Sequence, residues 1–276
     1  MALSFSVGAQ PQRVKVNEFQ LEYEVAGRGK YTVLLEAGGG AGMSDWDPVF
    51  QRIAEHATVI RYSRVGNGNS TPIKRHFSSQ DYAEYASELL VRLKVHQPVI
   101  LVAHSYGGSI ARDFAAAYPQ QIQALLLLDP SSEHDVDIIR AIDLEQGNRE
   151  IAKVQRDDMA NGMSNQYLDF WSKRPLPDYP TIKDMPVTVI ASVRTTKTPA
   201  NLFFTDQGRK MWGALWQSWA HDFPQGKAVL TEKSGHFVQS DEPALVVAEL
   251  LALMQKLDAP SAHSNQAREA WPKERQ

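Results

Sequence analysis

The sequence predicts an α/β protein built on a mostly parallel, doubly wound sheet of about eight strands with a small helical insertion, and three observations carry that prediction. Short, continuous apolar runs recur along the chain, at YTVLL (31–35), TVIRY (58–62), PVILVA (98–103), ALLLL (124–128), PVTVIA (186–191) and KAVL (227–230). Runs without alternation fit strands buried on both faces, as in a parallel sheet flanked by helices. Between most of these runs the apolar spacing changes to that of helices, and loop residues separate the two patterns.

Each element has its own local reason. RVKVNEFQLEYEVAGRG (13–29) alternates apolar and polar residues about Asn17-Glu18, which predicts an antiparallel hairpin ahead of the parallel strands. Asp47-Pro48 reads as an N-cap followed by proline at the first helical position. Ser78 and Asp81 form a candidate capping box, behind which Tyr82, Tyr85, Ala86, Leu89, Leu90 and Leu93 share one helical face. Ile110, Phe114 and Tyr118 keep helical spacing until Pro119 stops it, and a last helix is predicted from about Pro243 to Leu257. The strand–helix rhythm gives residues 1–130 and 186–258 as the core, 131–185 as a helical insertion and 259–276 as a polar tail.

Composition narrows the chemistry. The 276 residues are 43% hydrophobic and 22% charged, with a net charge of −3, so nothing suggests a nucleic-acid or membrane-surface partner. The absence of cysteine removes disulfides, thiolate metal sites and cysteine nucleophiles, and it fits a reducing compartment. The opening residues lack the pattern of a secretory signal, and no apolar run reaches membrane-spanning length. The expectation is a cytoplasmic protein acting on a small molecule, with no cofactor and no metal; Glu133-His134-Asp135 lacks an established ligand spacing.

The stretch PVILVAHSYGGSIARDF (98–114) carries the central functional signal. It places Ser105 on a tight turn between a buried strand and a helix, with small residues Ala103 and Gly107 two positions to either side. Such a turn lifts a serine oxygen above the sheet as an exposed nucleophile. Serine is a weak nucleophile at neutral pH and needs an oriented base. His236, in the loop between the last strand and the last helix, is the histidine that sheet topology brings to the same edge. His104, next to the serine, is expected to point elsewhere, while Trp212, Trp216 and Trp219 share a helical face expected to pack on the sheet.

Four segments in one order resemble the α/β-hydrolases of the serine type. They are LLEAGGGAGMSDW (34–46), similar to a glycine-rich segment of esterases and carbon–carbon bond hydrolases; YSRVGNGNS (62–70); AHSYGG (103–108); and SGHFVQSDEP (234–243). Ala37 and Ser63 depart from the histidine and aspartate that the family usually carries there. The resemblance implies an acyl-enzyme mechanism with Ser105 as nucleophile and His236 as base, and backbone N–H donors from Gly39 and Tyr106 for the oxyanion. The acid is expected at Asp129, which ends the ALLLL strand in an L-D-P setting like that of certain lipases; Asp206, Asp222 and Glu133 are the alternatives. The insertion resembles a cap over the site, where Phe170 and Trp171, with Met159, Met163 and Tyr167, would line an apolar pocket. The activity implied is that of a carboxylesterase, with a carbon–carbon bond hydrolase or a non-catalytic receptor as alternatives.

Overall fold

The computed structural model describes residues 10–73, 77–132, 134–160 and 184–259. An antiparallel hairpin, β1 (Gln12–Val16) and β2 (Phe19–Ala26), turns at Asn17, whose φ of 50° is tolerated by asparagine in a two-residue turn. Next come β3 (Thr32–Glu36), α1 (Asp47–Ala54), β4 (Thr58–Tyr62), α2 (Ser79–Arg92), β5 (Val99–His104) and α3 (Tyr106–Ala117). After β6 (Ile122–Leu128) stand α4 (Asp135–Ile142) and α5 (Leu144–Ala160). The chain then continues through β7 (Val187–Ser192), α6 (Asp206–His221), β8 (Gly226–Thr231), the short α7 (Val238–Asp241) and α8 (Pro243–Asp258).

The strands form one eight-stranded sheet in the order β1-β2-β4-β3-β5-β6-β7-β8. Only the β1/β2 and β2/β4 pairs are antiparallel; from β4 to β8 every pair is parallel. The unbroken apolar runs follow from burial on both faces. Within β5, Val99, Leu101 and Ala103 face a layer made by α2, α3 and α6, while Ile100 and Val102 face α1 and α8. All six residues of β5 are buried, and each large aliphatic side chain among them contributes roughly 1.5–3 kcal/mol to the core.

The capping box at α2 forms as the spacing predicts: Ser78 Oγ accepts from the Asp81 N–H at 3.1 Å, and Asp81 Oδ2 accepts from the Ser78 N–H at 2.7 Å. The expected cap of α1 shifts by one position. Trp46 is the N-cap and Asp47 the first helical residue, because the Asp47 carboxylate is taken by the guanidinium of Arg61 from β4. The tryptophan stripe packs as its spacing suggests, with Trp212, Trp216 and Trp219 of α6 buried against the sheet. In the segment expected as an insertion, α4 packs on α5 and α6. Phe170, Trp171, Met163, Tyr167 and Glu133 lie outside the described residues, as does the tail beyond 259 and the side chain of Met159. No helix among the described residues is long and apolar enough to cross a membrane.

The turn from β5 into α3 is crowded by backbone. A Cβ at Gly107 would lie 2.6 Å from the carbonyl oxygens of both Glu36 and Ala37, which are backbone atoms at the end of β3. Replacing Gly107 by alanine is therefore expected to destabilise the protein by about 1–3 kcal/mol through overpacking. The corresponding fall in melting temperature is roughly 2–10 °C for a chain of this size; an unchanged melting temperature would show that the strand and helix can separate at little cost.

Candidate active site

The carboxyl ends of the paired parallel strands β5 and β6 lie side by side here. β5 ends in Ser105, whose φ of 53° and ψ of −124° are costly for a residue with a side chain, and β6 ends in Asp129 at φ 36°. Neighbouring backbone holds both residues in place. The Ser105 N–H donates to the Leu128 carbonyl at 3.1 Å, and the Asp129 N–H donates to the Ile190 carbonyl of β7 at 2.7 Å. The Ser105 carbonyl in turn accepts from the Gly108 N–H at 2.8 Å and the Ser131 N–H at 2.9 Å. The sheet ladder thus extends past the strand ends and fixes a turn that isolated chain would avoid.

The loop from β8 to α7 carries His236 over this edge. Its Nε2 lies 2.9 Å from Ser105 Oγ and its Nδ1 lies 2.8 Å from Asp129 Oδ2, so serine, imidazole and carboxylate form one hydrogen-bonded chain. The loop is pinned on both sides of the ring. Ser192 Oγ donates to the Ser234 carbonyl at 2.7 Å, and the Gly235 N–H donates to Asp241 Oδ2 at 2.6 Å. His236 is 43% exposed at its side chain while Asp129 is 4% exposed, which leaves the imidazole as the accessible member next to a sequestered acid.

Asp129 is surrounded by donors. Its Oδ1 accepts from the Ser192 N–H and the Trp212 indole N–H, each at 2.9 Å, with the Arg209 guanidinium 3.5 Å away. Burial alone would raise its carboxyl. The His236 hydrogen bond and charge, the Arg209 charge and the Trp212 N–H outweigh that and hold it below the ordinary carboxylate range. Trp212 thus has a polar partner as well as a packing role, and Arg209 sits beside the acid; apolar periodicity alone could not distinguish this indole N–H from those of its neighbours. Of the alternative acids, Glu133 lies outside the described residues and the other two mark the ends of α6. Asp206 begins α6 and Asp222 caps its far end, about 24 Å along a helix of 16 residues.

The glycine loop after β3 reaches the same place. A Cβ on Gly38 would lie 3.0 Å from His104 Nδ1 and 3.4 Å from Ser105 Cβ, so the loop is in contact with the turn at Ser105. The Gly38 N–H donates to Asp45 Oδ2 at 3.0 Å, and the next N–H along the loop is that of Gly39. Tyr106 is the first residue of α3, directly after Ser105. His104 is turned from Ser105, as expected, but it is not idle: Nδ1 meets Asp45 Oδ2 at 2.9 Å and Nε2 meets the His236 carbonyl at 3.0 Å. Gln239 of α7 donates to the other Asp45 oxygen at 2.9 Å. Asp45 is the residue that sequence reading passed over; SDWDP offers two acids two positions apart and no spacing rule to separate them. Burial pushes the Asp45 carboxyl up, but the His104 bond and charge, the Gly38 N–H and the Gln239 amide hold it below its usual range.

Within the Glu133-His134-Asp135 cluster, His134 precedes α4 and pairs through Nδ1 with Asp137 Oδ2 at 2.8 Å. Among the described residues no group of three histidine, aspartate or glutamate side chains could hold a metal ion.

The family described as the alpha/beta hydrolase fold matches residues 31–176. An uncharacterized protein of Mycobacterium tuberculosis H37Rv is 31% identical over 142 residues, which are 51% of this chain and 41% of that protein; the match spans less than half of that relative's length. Lipase LipV of the same organism is 47% identical over 104 residues, covering 37% of this chain and 39% of LipV. Among solved structures, a probable hydrolytic enzyme from Pseudomonas aeruginosa PAO1 superposes with a TM-score of 0.66 at 20% identity, over 91% of this chain and 95% of that one, a likeness of fold alone. A family match over more than half of the sequence, on a sheet of this order, carries the conclusion: the chain belongs to the α/β-hydrolase fold family.

Proposed function

We propose that this protein is a serine hydrolase that cleaves carboxylic esters of small hydrophobic substrates through an acyl-enzyme, with Ser105 as nucleophile, His236 as base and Asp129 as acid. The observation that carries the reading is the chain of 2.9 and 2.8 Å contacts from Ser105 Oγ through His236 to Asp129. Its geometry matches what the chemistry needs. The Ser105 hydroxyl passes its proton to His236 Nε2 as Oγ attacks the ester carbonyl, and the imidazolium is stabilised by Asp129 through Nδ1–H. Charge on the tetrahedral oxygen is met by the N–H groups of Gly39 and Tyr106. His236 then gives the proton to the leaving alcohol, activates a water for attack on the acyl-enzyme and returns the proton to Ser105 as the acid leaves.

Apolar surface beside the imidazole supports a hydrophobic substrate. Phe237 is 53% exposed, with its ring centroid 5.4 Å from that of His236. In this reading Phe170 and Trp171, which lie outside the described residues, are substrate contacts contributed by the 131–185 insertion.

A fluorophosphonate probe should label the wild-type protein at Ser105, and Ser105→Ala should abolish both labelling and hydrolysis of p-nitrophenyl acetate. An unlabelled but folded wild-type protein would favour the receptor alternative. Asp129→Asn is expected to lower kcat by about 10³–10⁴-fold, since the carboxylate sets the imidazole's tautomer; a near-normal rate would remove Asp129 from the mechanism. A p-nitrophenyl ester series should turn over fastest with uncharged acyl chains of several carbons, and best turnover of charged acyl groups would contradict the apolar reading.

A further inference from the structure

Arg64, in the loop leaving β4, is 2% exposed, and its contacts gather around the glycine loop. Nη1 donates to the Ala37 carbonyl at 2.6 Å and to the Glu36 carboxylate, which also accepts from the Tyr62 hydroxyl. Nη2 donates to the Gly38 carbonyl at 2.6 Å. That carbonyl belongs to the same peptide unit as the Gly39 N–H. In a planar trans peptide the C=O and N–H point in opposite directions. A guanidinium that grips the Gly38 oxygen therefore turns the Gly39 N–H to the side away from Arg64. The preceding peptide is held at both ends as well, its Ala37 carbonyl by Arg64 and its Gly38 N–H by Asp45 Oδ2 at 3.0 Å. The guanidinium carbon also lies 6.0 Å from the centroid of the Tyr106 ring, so Arg64 adjoins both segments assigned to the oxyanion site.

We infer that Arg64 is the positioning residue of the oxyanion hole, fixing the direction of the Gly39 N–H by its two-pronged hold on the Ala37 and Gly38 carbonyls. The inference rests on the ester-hydrolysis reading above. The shape of the side chain carries the effect. A planar fork can hold two successive carbonyls, whereas an ammonium on a flexible stem presents its donors from one point. Charge at this position has a different task, to balance the buried Glu36 carboxylate, whose own burial pushes it up against the opposing pull of Arg64 and Tyr62.

Two variants separate fork from charge: R64K keeps the cation without the fork, and the double variant E36Q/R64M removes both members of the buried pair. Each is compared with wild type for kcat and KM on p-nitrophenyl acetate, for inhibition by phenylboronic acid, which closes a tetrahedral adduct on Ser105, and for melting temperature. In E36Q/R64M kcat should fall by about 10²–10³-fold, the effect of losing one oxyanion donor. R64K should lose at least about tenfold, since the fork and not the charge does the positioning. In both, KM should change little and boronate affinity should fall in step with kcat. A folded variant of either kind with wild-type kcat and boronate affinity overturns the inference. Should neither fold, the wild-type protein decides: a gripped guanidinium gives separate Nη resonances for Arg64 that shift on boronate binding, and a single averaged signal overturns the role. Failure of wild type itself to react with a fluorophosphonate would instead refute the ester reading, so the two failures are distinguishable.

Discussion

Close approach of backbone at the carboxyl edge of β5 is the constraint on which the site depends. Three segments approach closely there: the end of β3, the turn at Ser105 and the L-D-P turn after β6. Gly107 must lack a Cβ because the Glu36 and Ala37 carbonyls fill that space, and Gly108 must lack one because Pro130 Cβ would lie 2.4 Å away. Gly38 is pressed against His104 and Ser105 from the other side. The cost of the positive φ at Ser105 and Asp129, on the order of 1–3 kcal/mol each, is offset by the packing and backbone hydrogen bonds around them.

Buried charge is organised around the same point. Glu36 faces Arg64, Asp45 faces His104, and Asp129 faces His236 with Arg209 beside it. A carboxylate taken out of water is costly unless its lone pairs are filled, and each of these three is met by several donors from different elements. The result is a set of cross-ties. Asp45 by its own contacts connects the glycine loop, the last residue of β5 and the helix after His236. Among the described residues, the His236 ring and its neighbour Phe237 stay exposed.

Much of the fold was legible in the residues because it depends on local rules. The six apolar runs become β3 to β8, since strands covered by helices on both faces are mostly apolar. The Ser78–Asp81 capping box and the Pro119 stop follow from spacing and from the missing proline N–H. Where a long-range partner intervened, local reading slipped. Asp47 is drawn from its capping role by Arg61 of β4, 14 residues further on, and the indole N–H of Trp212 is claimed by Asp129, 83 residues away in sequence.

The sequence by itself determined the strand–turn–helix context of Ser105, the loop that carries His236 and the glycine-rich stretch after β3. These are contiguous patterns, written by backbone sterics and hydrophobic periodicity within a few residues. Only the tertiary structure decided which carboxylate faces the imidazole, that His104 is tied to Asp45 and the His236 carbonyl, and that Arg64 grips the peptide of Gly39. Those pairings join residues from separate strands and loops, and side chains of one charge look alike in a sequence. Distance in space, set by the order of strands in the sheet, is what selects among them.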